Sequence, residues 1–252
     1  MLRRTVPGLL ALALLGVLAV LGCGMSNPHP LGSYERALAF REGGKNQDAV
    51  DAYAAFLRRS PTDSLAALAQ FEKAQSYMAL KEYPLAVVEF QILRQEYPTS
   101  ELAEASQYQE CLALMGQLHG VDRDITPAHE AREKLLGFLR TYPDSEFADE
   151  ARGLLTQISD LVVRKQMRSV ELYRRLKKPE SAAIVMDRLL ATERRSTLLP
   201  RVLLARAEVA RGMGQGDEAD GFLRSLVDEY PDSAEAARAQ KRLQAGGEEG
   251  QE

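Results

Sequence analysis

The chain has little of several residue types that usually carry chemistry. It contains no tryptophan, two cysteines and three histidines among 252 residues. Its 32 basic and 36 acidic residues leave a formal net charge of −4, so no basic excess points to a nucleic-acid partner. His29, His119 and His129 form no ligand motif, since His129-Glu130 lacks the second histidine of a zinc-protease helix. These absences predict a protein that is not an enzyme and holds no metal.

A single long apolar run lies at the start of the chain. Two arginines precede 13 mostly apolar residues from Leu9 to Leu21, a run shorter than the roughly 20 residues of a membrane-spanning helix. This arrangement is typical of a secretory signal. The run ends at a Gly-Cys pair that resembles the bacterial lipoprotein signature, which implies cleavage before Cys23 and a covalent lipid on its sulfur. We predict a signal peptide over residues 1–22 and a lipidated tether over residues 23–32. An ordinary signal with an incidental cysteine is the alternative.

A five-point pattern recurs along the rest of the chain. A small residue is followed by a residue at +3, a second small residue at +12, a large residue at +16 and a proline at +24. Small residues let two helix backbones approach, and proline ends the second helix. Three copies keep this spacing: Ala37, Phe40, Ala49, Tyr53 and Pro61; Ala74, Tyr77, Ala86, Phe90 and Pro98; Ala207, Ala210, Ala219, Leu223 and Pro231. The pattern resembles the tetratricopeptide repeat, a helix–turn–helix unit of about 34 residues.

Two further repeats are altered. In the third, the small residues Cys111 and Ala131 are 20 positions apart instead of 12, which indicates an insertion within Gln117 to Pro127. Because Cys111 occupies a small-residue position, we interpret it as a buried packing residue. An uninterrupted amphipathic segment from Asp144 to about Leu176 predicts one long helix leading into the fourth repeat, whose counterpart of the first small residue is Val170.

These repeats predict an all-α fold, a tetratricopeptide-like α-solenoid of five helical hairpins plus a closing helix. We expect repeats one to three within residues 33–143. Repeats four and five, with the long linking helix and the closing helix, would occupy residues 144–244. The polar, glycine-rich residues 245–252 are expected to form a disordered tail. Such an array buries its core by stacking neighbouring hairpins.

The combination resembles the BamD family of outer-membrane lipoproteins. The lipoprotein signature, the five repeats, the long helix and the loop VDRDITP at residues 121–127 carry the resemblance. It implies a non-enzymatic scaffold, lipid-anchored through Cys23 at the periplasmic face of the outer membrane, with no cofactor. It also implies docking onto the periplasmic domains of a BamA-like barrel subunit, and binding of unfolded outer-membrane proteins. Val185-Met186 departs from the Asn-Arg expected at a position linked to BamA contact.

Five residues are candidates for a peptide-binding groove. Tyr34, Phe71 and Tyr108 each lie three positions before the first small residue of a repeat. In tetratricopeptide units this helix face tends to line a groove. Met78 and Met115 lie four positions after the small residue, on the same face. Such a ladder fits an extended apolar peptide, as the C-terminal strand of an unfolded barrel protein would be. Alternatively, these side chains pack between repeats as core.

The inserted loop supplies three charged candidates for docking, Asp122, Arg123 and Asp124. Loop residues often carry function, but local capping and salt bridging explain them equally well. A second hypothesis for the whole chain is another periplasmic tetratricopeptide lipoprotein, such as a pilus or secretin pilot or a Tol-linked factor. A cell-wall enzyme or its activator is disfavoured, because no acid, nucleophile or metal set is present.

Overall fold

The computed structural model describes residues 27–118 and 124–249, and within them every regular element is a helix. The predicted signal peptide and Cys23 lie outside the described residues. None of the described helices is long and apolar enough to span a membrane. The helices follow in the order α1 (Tyr34–Glu42), α2 (Asn46–Arg59), α3 (Ala66–Ala79), α4 (Tyr83–Glu96), α5 (Leu102–Gly116), α6 (Thr126–Thr141), α7 (Ala148–Arg175), α8 (Pro179–Thr192), α9 (Leu199–Gly212), α10 (Gly216–Glu229) and α11 (Ala234–Glu249).

Consecutive helices form five hairpins, and α11 follows the last of them. Each hairpin is centred on the small residues of the sequence pattern, which have no exposed surface and let the two backbones approach. The small residues with 0% exposure are Ala37, Ala49, Ala74, Ala86, Cys111, Ala131, Ala182 and Ala219. The large residues four positions after the second small residue are buried beside them: Tyr53, Phe90, Leu135, Met186 and Leu223. The predicted fold class, an all-α tetratricopeptide-like α-solenoid, is confirmed.

Four hairpin turns share one backbone conformation. Gly44, Lys81, Lys177 and Gly214 have φ angles of 70°, 61°, 55° and 78°. Each of these residues lies seven positions after the first small residue of its repeat, or after Val170, which takes that place in repeat four. The turn conformation is therefore part of the repeating pattern. In each turn the next residue donates its N–H to a carbonyl five positions earlier, the bond of a Schellman helix end. These bonds are Lys45 to Phe40, Glu82 to Tyr77, Lys178 to Tyr173 and Gln215 to Ala210.

The chain divides into two compact units, the first ending at Leu102 and the second beginning at Ala103. Unit one contains α1 to α4, and unit two contains α6 to α11 with nearly all of α5. The expected boundary between residues 143 and 144 stays a prediction. Repeat three stays whole within unit two because its two helices are joined, for example by the ion pair of Glu110 and Lys134.

Unit two contains the expected long helix. Helix α7 has 28 residues and begins at Ala148, a few residues after the predicted start at Asp144. The closing helix α11 continues to Glu249, past residue 244, where the sequence places its end. The added segment contains an alanine and two glutamates, which favour helix, and each glycine costs only about 1 kcal/mol. Residues 250–252 of the predicted tail lie outside the described residues.

Two ion pairs with buried carboxylates occupy the same place in successive repeats with opposite polarity. In repeat two, Lys73 on α3 contacts Glu89 on α4 with a Nζ–Oε1 distance of 2.6 Å. In repeat three, Glu110 on α5 contacts Lys134 on α6 at 2.8 Å. In each pair, one partner lies immediately before the first small residue of the repeat. The other partner lies three positions after the second small residue of the same repeat. Repeats two and three therefore share a charge pair at this place, with the cation on the first helix in one and on the second helix in the other.

Candidate functional site

The groove candidates of unit one pack against their own hairpins. The Tyr34 ring lies 5.8 Å from the Tyr53 ring and 5.9 Å from Phe56. The Phe71 ring lies 5.6 Å from Phe90 in an edge-to-face arrangement. Both Tyr34 and Phe71 are half-buried. Their contacts fit the packing alternative, while the surface that they still expose keeps the groove role a prediction.

The candidates of unit two differ in burial. Tyr108 is 7% exposed and stacks on Phe147 with a centroid distance of 4.8 Å, while Phe138 lies 5.9 Å away. A side chain this buried offers little surface to a peptide, so packing accounts for Tyr108. Met115 in unit two and Met78 in unit one are half-buried, and their role in peptide binding stays a prediction.

We expect Phe71→Ala to lower the free energy of unfolding by about 2 kcal/mol, since it deletes a half-buried ring from its contact with Phe90. Phe90→Ala, at a fully buried position, should cost more, about 4 kcal/mol. Urea unfolding monitored by circular dichroism measures both changes. An unchanged midpoint for Phe71→Ala, together with weaker binding of an apolar peptide, would contradict the packing role and favour the groove.

In the inserted loop, Asp124 accepts hydrogen bonds from the first residue of helix α6, whereas Asp122 and Arg123 lie outside the described residues. The Asp124 Oδ1 atom accepts hydrogen bonds from the Thr126 hydroxyl at 2.7 Å and from the Thr126 N–H at 2.9 Å. These hydrogen bonds hold the pKa of the exposed Asp124 carboxyl below its usual range. Thr126 is the first residue of α6. A docking role for the loop remains a prediction.

Asp124→Ala should lower the melting temperature at neutral pH and leave it nearly unchanged in acid. Because the folded-state pKa is depressed, the carboxylate stabilises the fold above its unfolded-state pKa, and this contribution is lost as the pH falls through the folded-state pKa. Melting curves at about pH 7 and about pH 2 measure the difference, since the acid measurement has to lie below the lowered folded-state pKa. Exposed Glu133→Ala, in the middle of the same helix, is the control. An equal effect of Asp124→Ala at both pH values would rule out a charge-dependent cap.

A cavity of about 310 Å³ opens between α7 and α9 in unit two. Met167, half-buried in its wall, lies three positions before Val170 and therefore occupies the repeat position of the predicted groove aromatics. The groove face of the repeat thus contributes to a concave site in repeats four and five. The apolar lining residues are Val163, Met167, Leu198 and Val202, and the charged ones are Arg164, Arg168, Arg201 and Glu171.

Two arginines at this cavity occupy equivalent positions of successive repeats. Arg164 and Arg201 are 37 residues apart, and each lies six positions before the first small residue of its repeat or its counterpart. Because α7 and α9 are neighbouring first helices, this spacing brings both side chains to one cavity. This spacing is visible in the sequence, whereas the predicted groove candidates are aromatic residues and methionines. Repeats one to three have uncharged residues at this position: Leu31, Leu68 and Ala105.

The acidic residues near this cavity are already engaged. Asp160 accepts hydrogen bonds from the Ser196 hydroxyl at 2.6 Å and from the Thr197 N–H and hydroxyl, each at 2.8 Å. Glu171 accepts from Arg175 at 3.1 Å. The cavity also faces the first turn of α9, where the helix dipole adds positive potential. The local field therefore favours a negatively charged ligand.

Other charged clusters of unit two join helices. Arg206 is 5% exposed and reaches Asp187 on α8 and Glu218 on α10, each at 2.7 Å, while its guanidinium lies 4.6 Å from the centre of the Phe222 ring. This buried cation, paired with a carboxylate on each side, joins three helices. Within residues 27–118 and 124–249, no group of three histidine, cysteine or acidic residues is placed to hold a metal.

These successive helical hairpins define a tetratricopeptide-like repeat protein. The model of the YfiO family, described as outer membrane lipoprotein, matches residues 29–220. Because the match spans well over half of the chain, the chain belongs to the YfiO family of outer membrane lipoproteins, the BamD family that the sequence resembles. No curated protein matches it significantly.

Solved structures of tetratricopeptide proteins are similar along most of the chain. A thermophilic protein of this kind from Thermus thermophilus is 18% identical, with 82% of this chain and 95% of that chain covered and a TM-score of 0.34. Repeats of this type from Podosopora anserina are 15% identical, with 79% and 95% covered and a TM-score of 0.37. The fold assignment rests on the hairpins themselves.

Proposed function

We propose that this outer-membrane lipoprotein is a scaffold of the β-barrel assembly machinery. It docks onto the periplasmic domains of a BamA-like barrel subunit and binds unfolded outer-membrane proteins, and its covalent lipid on Cys23 holds it at the periplasmic face. The family match over residues 29–220 carries this proposal. The matched region includes the first four hairpins and the cavity between α7 and α9.

The repeat geometry supports a role in holding extended partners. Equivalent residues of successive first helices recur every 37 positions in most of the chain, so neighbouring hairpins within a unit present similar surfaces in a row. A row of similar surfaces suits partners whose recognition elements also repeat, such as extended peptides. Binding of this kind needs shape and charge complementarity, and no reacting group.

The contact with the BamA-like subunit would differ in detail at α8. Met186 is fully buried, so it belongs to the core of repeat four and has no surface for a partner. Ile184 on the same helix is 61% exposed. Docking at α8 would therefore use apolar contact through Ile184 instead of the charged contact that an arginine would provide.

Affinity purification from detergent-solubilised outer membranes tests this function. A tagged full chain should recover the BamA-like barrel subunit, identified by mass spectrometry, while a tagged unrelated outer-membrane lipoprotein should not. Depletion of the chain should also reduce the folded barrel proteins of the outer membrane. Recovery of a secretin, a pilus component or a Tol component in place of the barrel subunit would support the second hypothesis and overturn the first.

A further inference from the structure

The cavity between α7 and α9 has the composition of a site for an apolar side chain with acidic neighbours. Val163 and Val202 in its lining are almost completely buried, and Met167 and Leu198 are half-buried. The half-buried Met167 and Leu198 therefore supply the apolar surface that a single inserted side chain can contact. A volume of about 310 Å³ lies at the lower end of the range for ligand pockets.

The rim has positive charge available for a partner. Arg164 and Arg201 are exposed, and among the described residues neither makes an ion pair or a side-chain hydrogen bond. In contrast, Arg132 in the same unit is bound to Glu193 at 3.1 and 2.7 Å. A guanidinium group binds carboxylates with two parallel hydrogen bonds, which makes carboxylates the matching partner groups.

We propose that this cavity binds a peptide segment in which a large apolar side chain is flanked by acidic residues. The apolar side chain enters between α7 and α9, and the carboxylates on either side pair with Arg164 and Arg201. A concave site accepts an inserted side chain, which a flat lipid surface does not supply, so the shape favours a peptide over an anionic membrane. The cellular source of the segment rests on the proposed function, whereas the binding itself does not.

Fluorescence anisotropy with the full chain in detergent tests this site directly. The probe is a short fluorescein-labelled peptide with one phenylalanine flanked by two aspartates on each side within a Gly-Ser sequence. We expect the double variant Arg164→Glu/Arg201→Glu to weaken binding at least about tenfold. Changing the phenylalanine of the probe to serine, or its aspartates to asparagines, should weaken binding by wild type to a similar extent.

The matched control is Arg188→Glu/Arg224→Glu, which makes the same change in net charge at exposed positions on α8 and α10. It should change affinity by less than about twofold at a salt concentration of about 0.1 M. Unfolding curves establish that both double variants are folded, and Arg164→Gln/Arg201→Gln provides a milder version of the same test.

Three results would overturn the site. An equal loss of affinity in both double variants would indicate non-specific attraction. Undetectable binding of the aspartate probe by wild type would exclude the proposed ligand class. Arginine-dependent binding to phosphatidylglycerol vesicles, without probe binding, would assign the surface to a membrane. Each of these results leaves the co-purification of the BamA-like subunit unaffected, so failure of this site is distinguishable from failure of the proposed function.

Discussion

Replacing Glu110 with lysine should destabilise unit two by about 3 kcal/mol. Glu110 is completely buried and its carboxylate lies 2.8 Å from the Lys134 ammonium group. The substitution places a cation at this fully buried position beside the ammonium group of Lys134, so that an attraction is replaced by a repulsion. Urea unfolding followed by circular dichroism measures the loss as a lower midpoint.

The swapped double variant Glu110→Lys/Lys134→Glu should recover at least half of that loss. Repeat two already contains this polarity, with Lys73 on the first helix and Glu89 on the second, so the repeat accommodates the exchange. Lys134→Glu alone should also be destabilising, since it places two carboxylates together. A double variant no more stable than the worse single variant would show that burial of Glu110 depends on contacts other than this pair.

Replacing Cys23 with alanine should eliminate the mature membrane-bound form of the protein. The proposed lipid requires the cysteine sulfur, and acyl chains hold a protein to a bilayer by about 0.8 kcal/mol per buried methylene group. Cell fractionation, with mass spectrometry of the N-terminal peptide, should find lipid-modified Cys23 in wild type and none in the variant.

Cys111→Ala is the matched control, because these are the two cysteines of the chain. Cys111 is completely buried at a position where other repeats have alanine, so alanine should preserve both the fold and the membrane fraction. If Cys23→Ala matured normally and stayed in the outer membrane, the N-terminal segment would be an ordinary signal peptide and another feature would have to anchor the chain.

The core could be predicted from sequence because its determinants are local and periodic. A hairpin brings together residues about 12 positions apart, such as Ala74 and Ala86, and both are fully buried. The small-residue rule needs no knowledge of distant partners. The same rule placed Cys111 in the core, which its burial confirms.

The binding surface could be predicted only in part, since it depends on pairings between distant residues. Arg132 and Glu193 are 61 positions apart, and nothing in the local pattern shows that they meet. The sequence therefore could not tell which arginines of unit two are neutralised and which, like Arg164 and Arg201, remain available to a partner. Burial of Tyr108 likewise depends on Phe147, which belongs to the following hairpin.

The backbone conformations of Lys81 and Lys177 lower the free energy of unfolding of the chain. Both lysines adopt the left-handed conformation that Gly44 and Gly214 adopt in the equivalent turns, and a side chain there costs about 1 kcal/mol or more. Glycine at either position would keep the turn and remove this penalty. The free energy of unfolding is therefore lower than the fold permits, and the loss arises at these two turn positions.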